Sequence, residues 1–116
     1  MKVILDTSFI LSAIRNKIDI FEELREYNLL IPEQVLNEIK SLENSKAKTE
    51  AKLALKIIQR NKSKILKIEG KNTDNAIINY AKNNPQTIIA TLDREIKRKT
   101  KNPKIIIRNK KKLEII

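Results

Sequence analysis

The 116-residue sequence predicts a three-layer α/β/α fold with a central, mainly parallel sheet of about five strands. Short, uninterrupted apolar runs alternate along the chain with longer segments whose apolar residues recur at helical spacing. Strands that are buried on both faces have this continuous apolar character, and such a sheet needs helices on both sides. No repeat, linker or low-complexity stretch interrupts the pattern. The sequence therefore indicates one domain spanning residues 1–116.

The predicted strands are the apolar runs, and each ends where polar or turn-forming residues begin. The first lies at the start of the chain and ends at Asp6, the second ends at Pro32, and the third is closed by Gly70. The five runs cover residues 3–5, 29–31, 65–68, 87–91 and 105–107, and residues 113–116 offer a further edge segment.

The predicted helices lie between these strands. Asp6, Thr7 and Ser8 supply capping oxygens for the first helix. Pro32 is suited to open the helix that follows the second strand, and Pro85 ends the helix before the fourth. The helical segments are residues 9–14, 19–27, 33–42, 47–59, 73–83 and 93–100.

Three absences restrict the chemistry of the chain. It has no His and no Cys, which excludes imidazole catalysis, thiol nucleophiles, zinc knuckles and disulfides. Its one glycine, Gly70, cannot form a glycine-rich nucleotide loop, and this disfavours a nucleotide-binding regulator. No apolar run is long enough to span a membrane and no leader segment is visible, so we expect a cytoplasmic protein without membrane contact.

The chain is strongly basic. Twenty-five Lys and Arg residues stand against 14 Asp and Glu, a net charge of +11 that suits a polyanion, nucleic acid before a membrane surface. A genome biased towards Lys, Asn and Ile codons would produce the same excess without a function. Cations concentrate after Asp93, where a short helix would align four of them on one face, with Lys104, Arg108 and Lys110–Lys112 beyond. The four predicted RNA-binding residues are Arg94, Lys97, Arg98 and Lys101.

Four carboxylates fall where an α/β sheet binds ligands, at the carboxyl ends of its strands. Asp6 ends the first strand, and Asp93 follows the fourth by two residues. Asp74 lies in the first turn of the helix after the third strand, while Glu38 lies in the helix after the second and borders its buried stripe. Converging carboxylates repel one another unless a cation is bound, and an all-oxygen ligand set suits Mg²⁺ or Mn²⁺. Such a site would activate water for phosphodiester hydrolysis.

Each acid also has a simpler interpretation. Asp6 and Asp74 could cap helices or interact with helix dipoles, Asp93 could cap its basic helix, and Glu38 could pair with a neighbouring Lys. The joint position of the four acids at element ends favours a functional site over four separate structural roles.

Four segments, in this order, resemble the signature motifs of PIN-domain ribonucleases. They are V-I-L-D-T-S-F-I-L (residues 3–11), P-E-Q-V-L-N-E-I (32–39), T-D-N-A-I-I-N-Y-A (73–81) and I-I-A-T-L-D-R-E-I (88–96). The resemblance covers essentially the whole chain. Asn75 departs from it, standing where many members carry a second acid, and Glu95 is the only candidate for a fifth acid near the fourth strand.

The resemblance implies a Rossmann-like PIN fold and metal-dependent endoribonuclease activity. It implies Asp6, Glu38, Asp74 and Asp93 as catalytic metal ligands for Mg²⁺ or Mn²⁺, supported by the hydroxyls of Thr7, Ser8 or Thr91. The segment from residue 93 to 108 looks most like the PIN nucleases that process small-subunit ribosomal RNA, and VapC-type toxins are the nearer alternative for so short a chain. The implied partners are RNA, a second copy of the chain, and an antitoxin or a ribosome-assembly protein.

A non-catalytic RNA- or protein-binding module with the same fold is the alternative from another functional class. An intact acid quartet favours the nuclease, because a module that only binds has no need of four converging carboxylates.

Overall fold

A computed structural model describes residues 1–116 and contains one six-stranded sheet in the order β3-β2-β1-β4-β5-β6. The first five strands are parallel, and β6 pairs antiparallel with β5 at the edge. The edge segment expected at residues 113–116 is thus the sixth strand, shifted by one residue. The strands are β1 (Lys2–Leu5), β2 (Asn28–Pro32), β3 (Lys64–Leu66), β4 (Ile88–Ala90), β5 (Lys104–Arg108) and β6 (Lys112–Ile115).

Helices connect the strands and form the two outer layers. β2 and β3 lie on one side of β1 while β4 and β5 lie on the other, so right-handed connections place helices on opposite faces of the sheet. Accordingly, α1 packs against α4, and α5 packs against α6. The helices are α1 (Thr7–Arg15), α2 (Ile20–Glu23), α3 (Glu33–Ser41), α4 (Lys48–Arg60), α5 (Thr73–Asn83) and α6 (Arg94–Lys99), with a 3₁₀ helix at Leu42–Asn44. The predicted three-layer fold is confirmed.

Two predicted elements end at least two residues earlier than expected. The helix predicted over residues 19–27 is the single turn α2, because the chain turns at Leu24 to bury that side chain and enter β2. The third strand ends at Leu66 and does not reach Ile68. Leu66 pairs with Pro32, the last residue of β2, so no strand remains beyond it to pair with.

The core surrounds β1, whose three apolar residues have no solvent exposure. Phe9 of α1, Ile39 of α3 and Ile77 of α5 are also fully buried, and they contribute to one apolar cluster that joins both helical layers to the sheet. At about 25 cal/mol per Å² of buried apolar surface, this cluster is the main source of stability. No helix combines the length and apolar character of a membrane span.

Candidate functional site

The strand order changes direction at β1, and the candidate site begins at this point. β1 and β4 are neighbours, and Leu5 at the end of β1 is in register with Ala90 at the end of β4. Asp6 and Thr91 therefore leave the sheet side by side, with the Asp6 amide donating to the Ala90 carbonyl at 3.0 Å. A crevice for ligands forms at such a switch point because the connections leave it in opposite directions.

The Asp6 carboxylate is nearly fully buried and accepts three hydrogen bonds. The Thr7 amide donates to Oδ1 at 2.8 Å, and the hydroxyls of Thr91 and Ser8 donate to Oδ2 at 2.7 Å and 3.1 Å. Burial raises the pKa of Asp6, and the negative charge of Asp74 raises it further, against the opposing effect of the three hydrogen bonds. The three hydrogen bonds thus hold the Asp6 carboxylate at a position where burial disfavours its negative charge.

Thr91 connects Asp6 to Asp93. Its fully buried hydroxyl donates to Asp6 and accepts from the Asp93 amide at 3.0 Å. The Asp93 carboxylate caps α6, because Oδ1 accepts from the amides of Glu95 and Ile96 at 2.8 Å and 3.2 Å. Helix capping therefore accounts for Oδ1 of Asp93, whereas Oδ2 has no hydrogen-bond partner.

Asp74 and Glu38 approach the site from α5 and α3. Asn72 caps α5 by accepting from the Asn75 amide at 2.9 Å, which leaves Asp74 free of a capping role. Glu38 is exposed, and its Oε2 lies 3.5 Å from the hydroxyl of the buried Thr73. Partial desolvation raises the pKa of Asp74, as do the charges of Asp93, Glu38 and Glu95. The four predicted acids thus interact electrostatically at one edge of the sheet.

Gln34, which sequence reasoning missed, holds the loop before α5. It lies one helical turn before Glu38 on α3, and its Nε2 donates to the carbonyls of Ile68 and Gly70 at 2.7 Å and 3.2 Å. Gly70 has φ of +155°, and a Cβ there would lie 2.6 Å from the backbone of Ala76. The four-residue spacing of Gln34 and Glu38 predicts that they share a face of α3, but only the fold shows that the loop before α5 lies against that face.

The donor set of these acids fits a hard divalent cation. Asp74 accepts no hydrogen bond, and Glu38 and Asp93 each keep one carboxylate oxygen without a partner. The Thr7 hydroxyl is buried beside Asp6 and also has no hydrogen-bond partner. As the side chains stand, no three acidic groups are close enough together to hold a metal ion. Mg²⁺ requires oxygen ligands at about 2.0–2.1 Å, so these carboxylates would have to move closer together to hold the ion.

The basic segment differs from its prediction in two respects. The helix ends at Lys99 and Thr100 is extended, so Lys101 does not share a helical face with Arg94, Lys97 and Arg98. Lys104, expected to extend the exposed cations, is buried, because its ammonium donates to the carbonyls of Thr100 and Asn102 at 2.8 Å and 2.6 Å. Burial lowers the pKa of Lys104.

Glu95 neutralises part of the charge on α6. Its carboxylate contacts Arg98 at 2.7 Å and Lys99 at 3.2 Å, and these cations lower the pKa of Glu95. Arg94 and Lys97 form no ion pair. The charge of Lys99 also reaches Asp74, whose pKa it lowers in opposition to the neighbouring acids. Lys99 therefore links the charge of α6 to Asp74.

Comparison with known proteins identifies the fold family. Residues 3–111 match the family described as PIN like domain. Ribonuclease VapC4 of Methanocaldococcus jannaschii is 29% identical over 125 residues, covering 98% of this chain and 95% of that protein. The structure of the PIN domain endonuclease Utp24 superposes with a TM-score of 0.82 at 24% identity, covering 98% of this chain and 90% of the other.

A second solved structure has the same fold at lower similarity. VapBC2 from Rickettsia felis, bound to a DNA fragment from the promoter, matches with a TM-score of 0.62 at 19% identity, covering 90% of this chain and 98% of the other. The resemblance found in the sequence motifs is confirmed, and the chain belongs to the PIN-like domain family.

Proposed function

We propose that the chain is a metal-dependent endoribonuclease in which residues 1–116 act as one PIN domain. The observation that carries the proposal is the position of the acids. Asp6 is buried at the switch point of the sheet, Thr91 joins it to Asp93, and Asp74 interacts electrostatically with Asp6, Glu38 and Asp93. A fold gains no stability from unpaired buried or crowded carboxylates, whereas perturbed acids in a crevice are typical of active sites. The relative from M. jannaschii is named a ribonuclease, which supports RNA as the substrate.

In this proposal Asp6, Glu38, Asp74 and Asp93 hold Mg²⁺ or Mn²⁺. The metal would lower the pKa of bound water and neutralise charge on the phosphate. Thr91 orients the Asp6 carboxylate and the Asp93 backbone together, Ser8 donates to Asp6, and Thr7 contributes its amide and its unpartnered hydroxyl. The products would carry 5′-phosphate and 3′-hydroxyl ends, as the family resemblance implies.

We propose that Arg94, Lys97, Arg98 and Lys101 contact the RNA backbone. Three of these side chains are exposed and Lys97 is half-buried. Arg98 already pairs with Glu95, so Arg94, Lys97 and Lys101 would contribute most. Replacing all four by Ala should weaken RNA binding for every sequence tested and flatten its salt dependence.

We propose ribosomal RNA processing or RNA turnover in the cytoplasm as the physiological role. Processing of small-subunit ribosomal RNA and toxin activity are the two roles that the motif resemblance implies, and they imply different partners, a ribosome-assembly protein or an antitoxin. Purifying the tagged chain at native abundance and sequencing its bound RNA separates them, because ribosomal precursor RNA indicates the first role. A homodimer would appear as a doubled mass in sedimentation.

The test of activity is cleavage of single-stranded and loop RNA with Mg²⁺, Mn²⁺ or excess chelator. We expect cleavage with either metal and none in chelator. Asp19→Asn is the matched control for a site variant, because Asp19 also caps a helix, α2, but lies outside the acid cluster. Specific RNA binding without cleavage under any metal condition would instead support the non-catalytic module.

A further inference from the structure

We propose that the hairpin formed by β5 and β6 is an RNA-binding arm, in which Lys110, Lys111 and Lys112 contact the RNA backbone beside the acid site. This inference rests on the proposed nuclease function, because it takes RNA to be the polyanion that reaches this edge of the sheet. We call residues 108–112, the tip of the hairpin, the basic arm.

The basic arm projects from the same edge of the sheet as the acids. β5 is parallel to β4, with Ala90 at the end of β4 in register with Ile105. β5 then continues for Ile106, Ile107 and Arg108 before the chain turns into β6, where Arg108 pairs with Lys112. At about 3.3 Å per residue the tip extends about 10 Å past the end of β4.

The arm is also close to the acids laterally. Ala90 is in register with Leu5, so Asp6 lies level with the first residue beyond the end of β4. One strand, β4, separates β1 from β5, which corresponds to about 10 Å between their axes. An RNA strand that passes the acids and continues towards the β5 side of the sheet would reach the basic arm within a few nucleotides.

The charges of the arm are free to bind a ligand. Lys110, Lys111 and Lys112 are all exposed, and their side chains form no ion pair and no hydrogen bond. Arg108 differs, because both oxygens of Glu114 accept from its guanidinium, at 2.9 Å and 3.0 Å. The arm therefore presents three unpaired positive charges, whereas Glu95 neutralises part of the charge on α6.

Protection of the sheet edge is the simpler explanation for Lys residues on an outer hairpin. Cations serving that purpose would be distributed along the edge strand β6. Instead, the three Lys residues are consecutive at the turn, and the rest of β6 is Leu113, Glu114 and Ile115. Ile115 is half-exposed and Glu114 is paired with Arg108, so the outer part of the strand has no unpaired charge that would protect the edge. The distribution favours ligand binding at the tip.

The experiment compares two variants that each lose three positive charges. The arm variant is Lys110→Ala, Lys111→Ala and Lys112→Ala. The control is Lys48→Ala, Lys52→Ala and Lys56→Ala on α4, where all three side chains are exposed and Ala favours the helix. Affinity for a single-stranded RNA is measured by fluorescence anisotropy over a series of salt concentrations, in chelator so that no cleavage occurs.

Three lost phosphate contacts should lower the slope of log affinity against log salt by about 2, and weaken binding about a hundredfold at about 0.1 M salt. The control should change affinity less than about threefold, since it removes the same net charge away from the RNA path. Equal effects in the two variants, or no effect in either, would overturn the proposal.

A kinetic measurement separates the arm from the proposed chemistry. In cleavage assays the arm variant should raise KM and leave kcat at the wild-type value, because the Lys residues are outside the acid cluster. A fall in kcat at unchanged KM would contradict a binding role. If the wild-type chain binds RNA but does not cleave it, the nuclease proposal fails, while the anisotropy result still decides whether the arm binds RNA.

Discussion

Asp6→Asn removes one negative charge from the buried centre of the site while keeping the shape of the side chain. The amide oxygen can still accept from the Thr7 amide, and the Ser8 hydroxyl can rotate to accept from the new NH₂ group. The Thr91 hydroxyl already accepts from the Asp93 amide, so it would accept a second hydrogen bond and lose the acceptor of its own proton. The substitution therefore keeps the shape of the side chain and most of its hydrogen bonds. It removes the charge that would bind a metal.

The expected loss of activity is about a thousandfold or more. Stabilisation of transition-state charge by a metal is worth several kcal/mol, and each 1.36 kcal/mol corresponds to about tenfold in rate. Single-turnover cleavage of a fluorescent RNA measures this loss, with Asp19→Asn expected at the wild-type rate. Cleavage by Asp6→Asn within tenfold of wild type would refute the assignment of Asp6 as a metal ligand.

The same substitution should leave the folded state intact or stabilise it slightly. The raised pKa of Asp6 means that the fold favours the neutral carboxyl over the carboxylate. In chelator at neutral pH we therefore expect the free energy of unfolding to be equal to that of the wild type or slightly higher, because the substitution removes a charge that burial disfavours. A loss of more than about 2 kcal/mol on urea unfolding would show that the hydroxyls cannot reorient, and would make any activity loss uninformative.

The contribution of Asp6 to the free energy of unfolding depends on pH in a definite direction. Because the folded-state pKa of Asp6 lies above the ordinary value of 3.8, the folded protein holds this proton more tightly than the unfolded chain does. The stability from this group is fully present below 3.8 and is lost as pH rises through the folded pKa. The difference between wild type and Asp6→Asn should therefore shrink as pH falls from neutral. Added Mg²⁺ should raise the melting temperature of wild type and not that of the variant.

Three further predictions concern the surroundings of the site. Gly70→Ala should lower the free energy of unfolding, measured by urea titration, by about 2 kcal/mol or more. The new Cβ would collide with the backbone of Ala76, and the φ of residue 70 disfavours any side chain. The control is Asn79→Ala at an exposed position of α5, which should change the free energy of unfolding little. Glu95→Gln should tighten RNA binding several-fold, measured by fluorescence anisotropy without metal, because it frees Arg98 and Lys99 from their ion pairs. Unchanged binding would mean that α6 does not contact the RNA. Lys104→Met should leave RNA affinity within about twofold of wild type, because the Lys104 ammonium donates to backbone carbonyls inside the protein. A tenfold loss of affinity would contradict this burial.

Much of the fold was predictable because its determinants are local. Continuous apolar runs mark strands buried on both faces, and β1 is indeed fully buried. Caps at Asp6, Asn72 and Asp93 set the starts of α1, α5 and α6 within two residues of the predicted positions. The helix predicted at 19–27 was too long, because its end depends on where Leu24 packs, which is a tertiary contact.

The basic segment illustrates the limit of reasoning from charge alone. Lys101 and Lys104 look equivalent to their neighbours in the sequence, yet one lies beyond the helix and the other is buried. Whether a cation is exposed, paired or buried depends on residues that approach from elsewhere in the fold. For Lys104 these are the carbonyls of the loop between α6 and β5.

The sequence by itself determined the parallel sheet, the family, and the identity of the four candidate acids, since these follow from periodicity, strand ends and ordered motifs. Only the tertiary structure decided what each acid contacts. The Thr91 hydroxyl reaches Asp6 across 85 positions of sequence, and Gln34 holds a loop that begins more than 30 residues away. These contacts form because packing of apolar surface sets the distances between elements, and no local pattern along the chain encodes those distances.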